Sequence, residues 1–181
     1  MTHLENGRIV LRPLEPGDVA AMYSAVRESI PEVSRWLPWC HAGYARADTA
    51  GFVDMSARAW ADRSQFPFGI FEAATGSFVG GLSVNHIVRT NRLANIGYWV
   101  RTSAVRQGIA AAAVRLAARF AFTDLGLTRL EIACIPDNIA SRGVAEKVGA
   151  KLETIARNRI VMHGRAYDAA LYSLIPSDLS A

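Results

Sequence analysis

Gly97-Tyr98-Trp99-Val100, then Arg101 to Arg106, then Gln107-Gly108-Ile109-Ala110, is the stretch on which the fold turns. Its first residues, rich in aromatic and β-branched side chains, read as the end of a strand running from Leu93 to Arg101. A short polar loop follows, and a helix opens at a glycine and runs to about Asp124, stopping before Gly126. Unpaired N–H groups at such a helix start, with the positive end of the helix dipole, favour phosphate. Gly108 lets an anion approach the backbone, Ala110 and Ala111 keep the first turn slim, and Arg101 and Arg106 offer charge-assisted contacts. Neither Gly-x-x-x-x-Gly-Lys-Ser/Thr nor Gly-x-Gly-x-x-Gly is present, which excludes those two phosphate loops. An ordinary tight turn before a helix has the same spacing, so this stretch alone leaves the function open.

Upstream, Arg8 to Leu14 alternates as a strand that stops at Pro13, and Gly17-Asp18 opens a helix to about Ser29 with Asp18 as its cap. Residues 30–44 are irregular, broken by Pro31 and Pro38. Asp48-Thr49 caps a second helix to about Arg63. Phe66 to Ala73 and Ser77 to Arg89 are strands joined by a turn at Ala74-Thr75-Gly76. Downstream, Thr128 to Ile135 is a strand, and Pro136-Asp137-Asn138 leads into a short helix ending at Gly149. Lys151 to Val161 and Ala166 to Ile175 form a hairpin around His163-Gly164. An antiparallel meander that passes into a β-α-β crossover requires one parallel pair. The expected fold is therefore α/β (α+β), with about four helices flanking a mixed, mostly antiparallel sheet of about seven strands. With no internal repeat or linker, residues 1–181 read as one domain with its core at about 8–176.

A second constellation moves the functional reading. Asn138-x-x-Ser141 begins the short helix, and Val144-Ala145-Glu146-Lys147-x-Gly149 ends it. With Gly97-Tyr98-Trp99-Val100 and the glycine-opened helix, this resembles the GNAT acetyltransferase superfamily, and within it the RimJ/RimL-like branch that acetylates protein N-termini. The resemblance also covers Leu11-Arg12-Pro13-Leu14, Arg35-Trp36-Leu37-Pro38-Trp39, Tyr167-Asp168 and Tyr172-Ser173-Leu174. It implies acetyl-CoA as cosubstrate and a sheet splayed in its middle, with the pantetheine arm lying in the gap. Backbone groups of Tyr98, Trp99 and Val100 would pair with that arm. The N–H groups of Arg106, Gln107, Gly108, Ile109, Ala110 and Ala111 would hold the pyrophosphate. Asn138 would hydrogen-bond the pantetheine, and Ser141 would lie near the sulfur. Two positions depart from the family pattern. Val105 stands where Gln or Arg is usual, removing one polar contact, and Ala145 stands where many relatives carry a tyrosine acid. In the RimJ/RimL-like branch a serine at the Ser141 position is proposed for that role.

Acyl transfer to an amine needs an uncharged amine, a stabilised oxyanion and a proton for the departing thiolate. A backbone N–H near Val100 could serve the oxyanion, and Ser141 the thiolate; a hydrogen bond from Ser141 to the helix start is the competing reading. No glutamate stands out as the base. Glu153, Asp168, His86 and a water chain held by Asn85 or Tyr98 are candidates, although Asp168 also reads as a salt-bridge partner, His86 as a satisfied sheet histidine and Glu131 as the partner of a nearby arginine. A protein α-amine titrates near pH ~7.7–8, so a neutral fraction exists without a strong base. Trp36, Trp39 and Tyr44 lie where the family borders its acceptor groove, and they either clamp the acceptor or cover the core.

Composition narrows the alternatives. The net charge is +4, carried by 18 Arg and two Lys, and suits an anionic ligand, but no basic patch interleaved with aromatics points to nucleic acid. Cys40 and Cys134 form no CxxC pair or His/Cys cluster, so free thiols and no metal are expected. No apolar leader or membrane-length run appears, and a cytoplasmic location follows as the expectation. Dimers are frequent in the family, and a homodimer is implied on that ground alone. The main expectation is an N-acetyltransferase for a protein N-terminal α-amine. A small-amine enzyme, for a polyamine, amino acid or antibiotic, and a non-catalytic acyl-CoA-binding module are the alternatives.

Overall fold

Alternating burial builds the strands, beginning with β2 (Ile9–Arg12), where Ile9 and Leu11 are fully buried and Val10 and Arg12 are not. The computed structural model describes residues 2–179. With β1 (Leu4–Glu5), β3 (Phe66–Glu72), β4 (Phe78–Val88), β5 (Leu93–Val100), β6 (Arg129–Cys134), β7 (Lys151–Met162) and β8 (Arg165–Leu174), it forms one eight-stranded sheet. The order is β1-β2-β3-β4-β5-β6-β8-β7. The helices are α1 (Val19–Val33), α2 (Arg46–Ala61), α3 (Ile109–Thr123) and α4 (Ile139–Lys147). The mixed architecture is as the sequence predicts. The strand beyond seven is β1, whose two residues pair Leu4 with Leu11 and are too short to leave a periodic signal.

Among the described residues only β5 and β6 run parallel, joined by the α3 crossover. Their pairing lasts from Leu93–Asn95 to Arg129–Glu131 and then ends. Beyond it β5 stays with β4 as far as Gly80↔Val100, while β6 follows β8 as far as Cys134↔Ala170. The two strands therefore part in the middle of the sheet. The Arg101 N–H donates to the Val79 carbonyl on β4 at 2.8 Å. Backbone polar groups alternate sides along a strand, so those of Val100 and Tyr98 point the other way, into the gap.

α3 presses an alanine-rich face on the sheet. Ala113, Val114, Ala117, Ala118 and Ala121 are fully buried, and their small side chains bring the helix axis close to the strands. Its Phe120 closes an aromatic cluster, with ring centroids 5.4 Å from Phe66, 5.6 Å from Phe68 and 6.0 Å from Trp60. A second core, under α1 and α2, gathers Met22, Val26, Val53, Phe71 and Phe78.

Several local expectations are corrected. Asp18 does not cap α1 through its side chain; its carboxylate takes both Arg12 Nη groups at 2.7 Å and the Glu15 N–H at 2.8 Å. α1 runs past Pro31 to Val33, because a proline in the last turn removes only one ladder N–H and the Ser34 N–H still reaches the Ile30 carbonyl. α2 starts at Arg46, with Asp48 one turn inside and bonded back to the Ala45 N–H at 2.7 Å. His86 is exposed with φ +49°, at an irregularity where the β4–β5 register shifts, rather than seated in the ladder. Asp168 accepts the Asn158 N–H at 3.0 Å and, among the described residues, joins no salt bridge.

Candidate active site

Where β5 and β6 separate, two cavities meet. One, of about 780 Å³, runs from the gap to the start of α3 and is lined by Val100, Arg106, Gly108, Ala111, Asn138 and Ser141 among others. The second, of about 620 Å³, is lined by Trp39, Tyr44 and Phe52 on one side and by Ser83, Asn85 and Asn95 on the other. Both are bordered by Leu37, by residues 96–99 and by Ala133, so they share a wall at the parting of the strands.

Gly108 caps α3 with φ +77°, a left-handed conformation that glycine adopts freely and other L residues resist. The turn exposes the first N–H groups of the helix to the larger cavity. Ile109, Ala110 and Ala111 line it with Gly108, as do Tyr98, Trp99 and Val100, whereas Gln107 is exposed and outside the lining. Arg101 does not reach this turn. Its Nε donates to Glu28 at 2.6 Å, and with Ser103 it holds the Glu28 carboxyl down at about 2. Two cations that the sequence reading overlooked stand beside the turn. A side chain begun at Gly108 would start 3.8 Å from Arg8 Nη1 and 3.8 Å from Lys147 Nζ.

Tyr98 and Ser141 are joined. The Tyr98 hydroxyl donates to the Ser141 carbonyl at 3.0 Å, and its oxygen lies 3.1 Å from Ser141 Oγ. With the phenolic proton spent on the carbonyl, the serine hydroxyl is the donor of the second bond. Burial raises the Tyr98 hydroxyl far above its ordinary range, which keeps it neutral. Asn138 caps α4 by accepting the Ser141 N–H at 3.1 Å, which commits its side-chain oxygen, and the residue lines the larger cavity. Cys134 lines the same cavity as a buried free thiol that burial keeps protonated. Ala145 is fully buried, leaving no room for a tyrosine there.

The base candidates mostly fall away. Arg129 bonds Glu153 through two nitrogens, at 2.8 and 2.6 Å, which holds that carboxyl at about 2. Glu131 pairs with the same arginine at 3.0 Å, as the sequence suggests. Asn85 borders the smaller cavity, and its carbonyl accepts from Asn95 Nδ2 at 2.8 Å. Trp39 borders that cavity too, 39% exposed, with its ring 5.6 Å from Trp99 and 6.0 Å from Tyr44. Trp36 faces the larger cavity instead. Tyr44 is buried and hydrogen-bonded by Thr49 at 3.1 Å, so it serves the core as well as the cavity wall. Phe52, from the middle of α2, is a lining residue with no sequence signal of its own beyond helical spacing. Among the described residues no cluster of three His, Cys, Asp or Glu side chains could hold a metal, and no helix is long and apolar enough to cross a membrane.

Known proteins share the fold and part of the sequence. Residues 8–151 match the family described as the acetyltransferase (GNAT) domain. YdaF of Bacillus subtilis, provisionally named a ribosomal N-acetyltransferase, is 30% identical over 94% of this chain and 92% of its own length. A Vibrio cholerae structure provisionally assigned as a ribosomal-protein-serine acetyltransferase superposes with a TM-score of 0.86 at 29% identity, covering 97% of this chain and 98% of the other. RimJ of Mycobacterium smegmatis, solved in complex with CoA-disulfide, gives 0.85 at 26% identity, covering 99% of this chain and 88% of the other. The chain belongs to the GNAT acetyltransferase family.

Proposed function

We propose that this GNAT N-acetyltransferase moves the acetyl group of acetyl-CoA onto a protein N-terminal α-amine by direct attack on the thioester. The observation that carries the reading is the gap between β5 and β6. Inward-pointing amides of Tyr98 and Val100 line it, and it leads at one end to the Gly108 turn and at the other to an aromatic cavity. A pantetheine arm has the length and the alternating amides to pair with such an edge as an added strand would. The backbone around Gly108 suits the diphosphate, and RimJ of M. smegmatis, a relative of the same fold, was solved with a CoA derivative.

The cosubstrate supplies a thioester carbonyl. The Val100 N–H, turned into the gap, faces the charge that builds on that oxygen. Ser141 Oγ turns its proton from Tyr98 to the departing sulfur and takes up in exchange, through water, the proton that the amine releases, while Tyr98, neutral and 3.1 Å away, holds the serine in position. The Asn138 NH₂ is available to the pantetheine. The C–N bond forms first and puts the charge on the carbonyl oxygen; collapse restores the C=O bond and breaks C–S, and the amine proton passes through water to Ser141 Oγ, so the proton count closes. Solvent suffices as the base because an α-amine is partly neutral near pH ~7.7–8.

The acceptor reading rests on the lining of the smaller cavity. Trp39, Tyr44 and Phe52 give it flat apolar walls, Ser83, Asn85 and Asn95 a neutral polar side, and Asp48 its one carboxylate. A polycationic small amine would call for several carboxylates, whereas a peptide end has one amine followed by neutral amides. The ribosomal assignment carried by YdaF's name points the same way. A panel of N-terminal peptides and small amines, scored by free-thiol release, tests the reading. It requires kcat/KM for at least one peptide to exceed that of every small amine, and a preference for polyamines or aminoglycosides would overturn it.

A further inference from the structure

We infer that Arg8 and Lys147 form a two-cation clamp on the diphosphate of coenzyme A. The inference rests on the proposed cosubstrate and assigns it side chains from outside the loop between β5 and α3. The two arrive from distant parts of the chain. Arg8 sits at the turn into β2, where its N–H donates to Asn6 Oδ1 at 3.1 Å and its carbonyl accepts the Ala73 N–H at 2.9 Å. Lys147 ends α4, with its carbonyl bonded by Arg115 Nη2. Both backbones are thus fixed, and both side chains extend to the same spot. Each cation lies 3.8 Å from the point where a Gly108 side chain would begin, so the two charges lie within twice that distance of each other.

Among the described residues neither cation pairs with a carboxylate. Like charges brought this close repel, and the positive end of α3 adds to the repulsion. A dianion at Gly108 reverses the sign of every one of these interactions. It would meet the guanidinium on one flank, the ammonium on the other and the helix amides between them. Lys147 and Gly108 both line the larger cavity, and Arg8, outside that lining, reaches the same glycine from the turn into β2. The diphosphate fits better than the ribose 3′-phosphate because the glycine that permits close backbone approach is the centre of the cluster.

The test compares Arg8→Gln and Lys147→Gln with the parent protein on three donors: acetyl-CoA, its 3′-dephospho form and acetyl-pantetheine, which has no phosphate. Each substitution should raise the KM of both phosphate-bearing donors about five- to tenfold, the scale of a partly exposed charge-assisted contact. The loss should vanish with acetyl-pantetheine, and Arg8→Lys should recover part of it. Added salt should raise the acetyl-CoA KM of the parent more steeply than that of either variant. An equal loss on all three donors would mark a structural effect, and a loss confined to acetyl-CoA would move the contact to the 3′-phosphate; either overturns the clamp. Parent protein that binds acetyl-CoA while both variants match it defeats this inference alone. Parent protein that binds no acetyl-CoA defeats the cosubstrate assignment beneath it.

Discussion

Replacing Ser141 with alanine isolates the proton that the proposed chemistry sends to sulfur. The substitution spares the local fold. Asn138 caps α4 through the backbone N–H of residue 141, and Tyr98 donates to its backbone carbonyl at 3.0 Å, so both bonds survive. What disappears is the 3.1 Å contact between the two hydroxyls, worth about 1 kcal/mol, or a fall in Tm of about 2–4 °C. Catalysis should suffer more. A positioned general acid contributes roughly 10²–10⁴-fold, and the Tyr98 proton, committed to the carbonyl, cannot take over without breaking that bond. Water entering the space of the lost hydroxyl restores part of the rate, so kcat should fall about 100-fold, equivalent to about 2.7 kcal/mol of barrier. The KM for acetyl-CoA should stay within about twofold, since the backbone contacts remain. Burial raises the Tyr98 hydroxyl, so this residue adds no loss of activity below its ordinary titration near pH ~10. Steady-state thiol release between pH 6 and 9 reads all of these. A kcat within about threefold of the parent across that range, or a defect lying wholly in KM, would refute the serine as acid.

Three further outcomes follow from the geometry. The Glu28 carboxyl, held at about 2 by Arg101 and Ser103, stabilises the fold above its unfolded titration near 4.5 and loses that contribution as pH falls to about 2. Glu28→Gln should therefore cost about 1 kcal/mol at pH 7, limited by partial exposure of the pair, and nothing at the acid end; an equal cost at both, measured by urea denaturation, would contradict it. Gly80→Ala would place a Cβ 2.3 Å from the Trp99 carbonyl oxygen, forcing β4 from β5 beside the gap; about 2 kcal/mol and a Tm drop of about 4–8 °C are expected, and an unchanged melting curve would refute that contact. Trp39→Ala should raise the KM for a peptide acceptor about five- to tenfold and leave the Kd for acetyl-CoA unchanged; equal changes in both would remove Trp39 from the acceptor side.

Elements with strong periodicity or punctuation were legible in the sequence. The β5–α3–β6 crossover, the glycine at the start of α3 and the final hairpin all follow from patterns local to the chain. β1 was not legible, because a two-residue strand exists only through its partner β2. The continuation of α1 through Pro31 was hidden too, since packing outweighed the breaker where only one N–H was at stake. In the site, backbone-borne features could be read from glycine and strand signals, whereas side-chain alliances between distant segments could not. Arg101 looked like a phosphate ligand but spends its charge on Glu28, 73 residues away. Arg8 looked like an ordinary strand-start residue, yet it reaches the Gly108 turn across a hundred residues of sequence. Trp36 and Trp39, three residues apart, divide between the two cavities because the loop turns between them, with the Cys40 N–H closing onto the Leu37 carbonyl.

Calorimetric titration with acetyl-CoA, paired with thermal melting, tests most directly whether the parted strands and the Gly108 turn hold this cosubstrate. One equivalent should bind each chain with saturable heat, and at a hundredfold excess over Kd the fold should gain about 2.7 kcal/mol, a rise in Tm of about 5–10 °C. No heat and no thermal rise at saturating acetyl-CoA would contradict the account at its root.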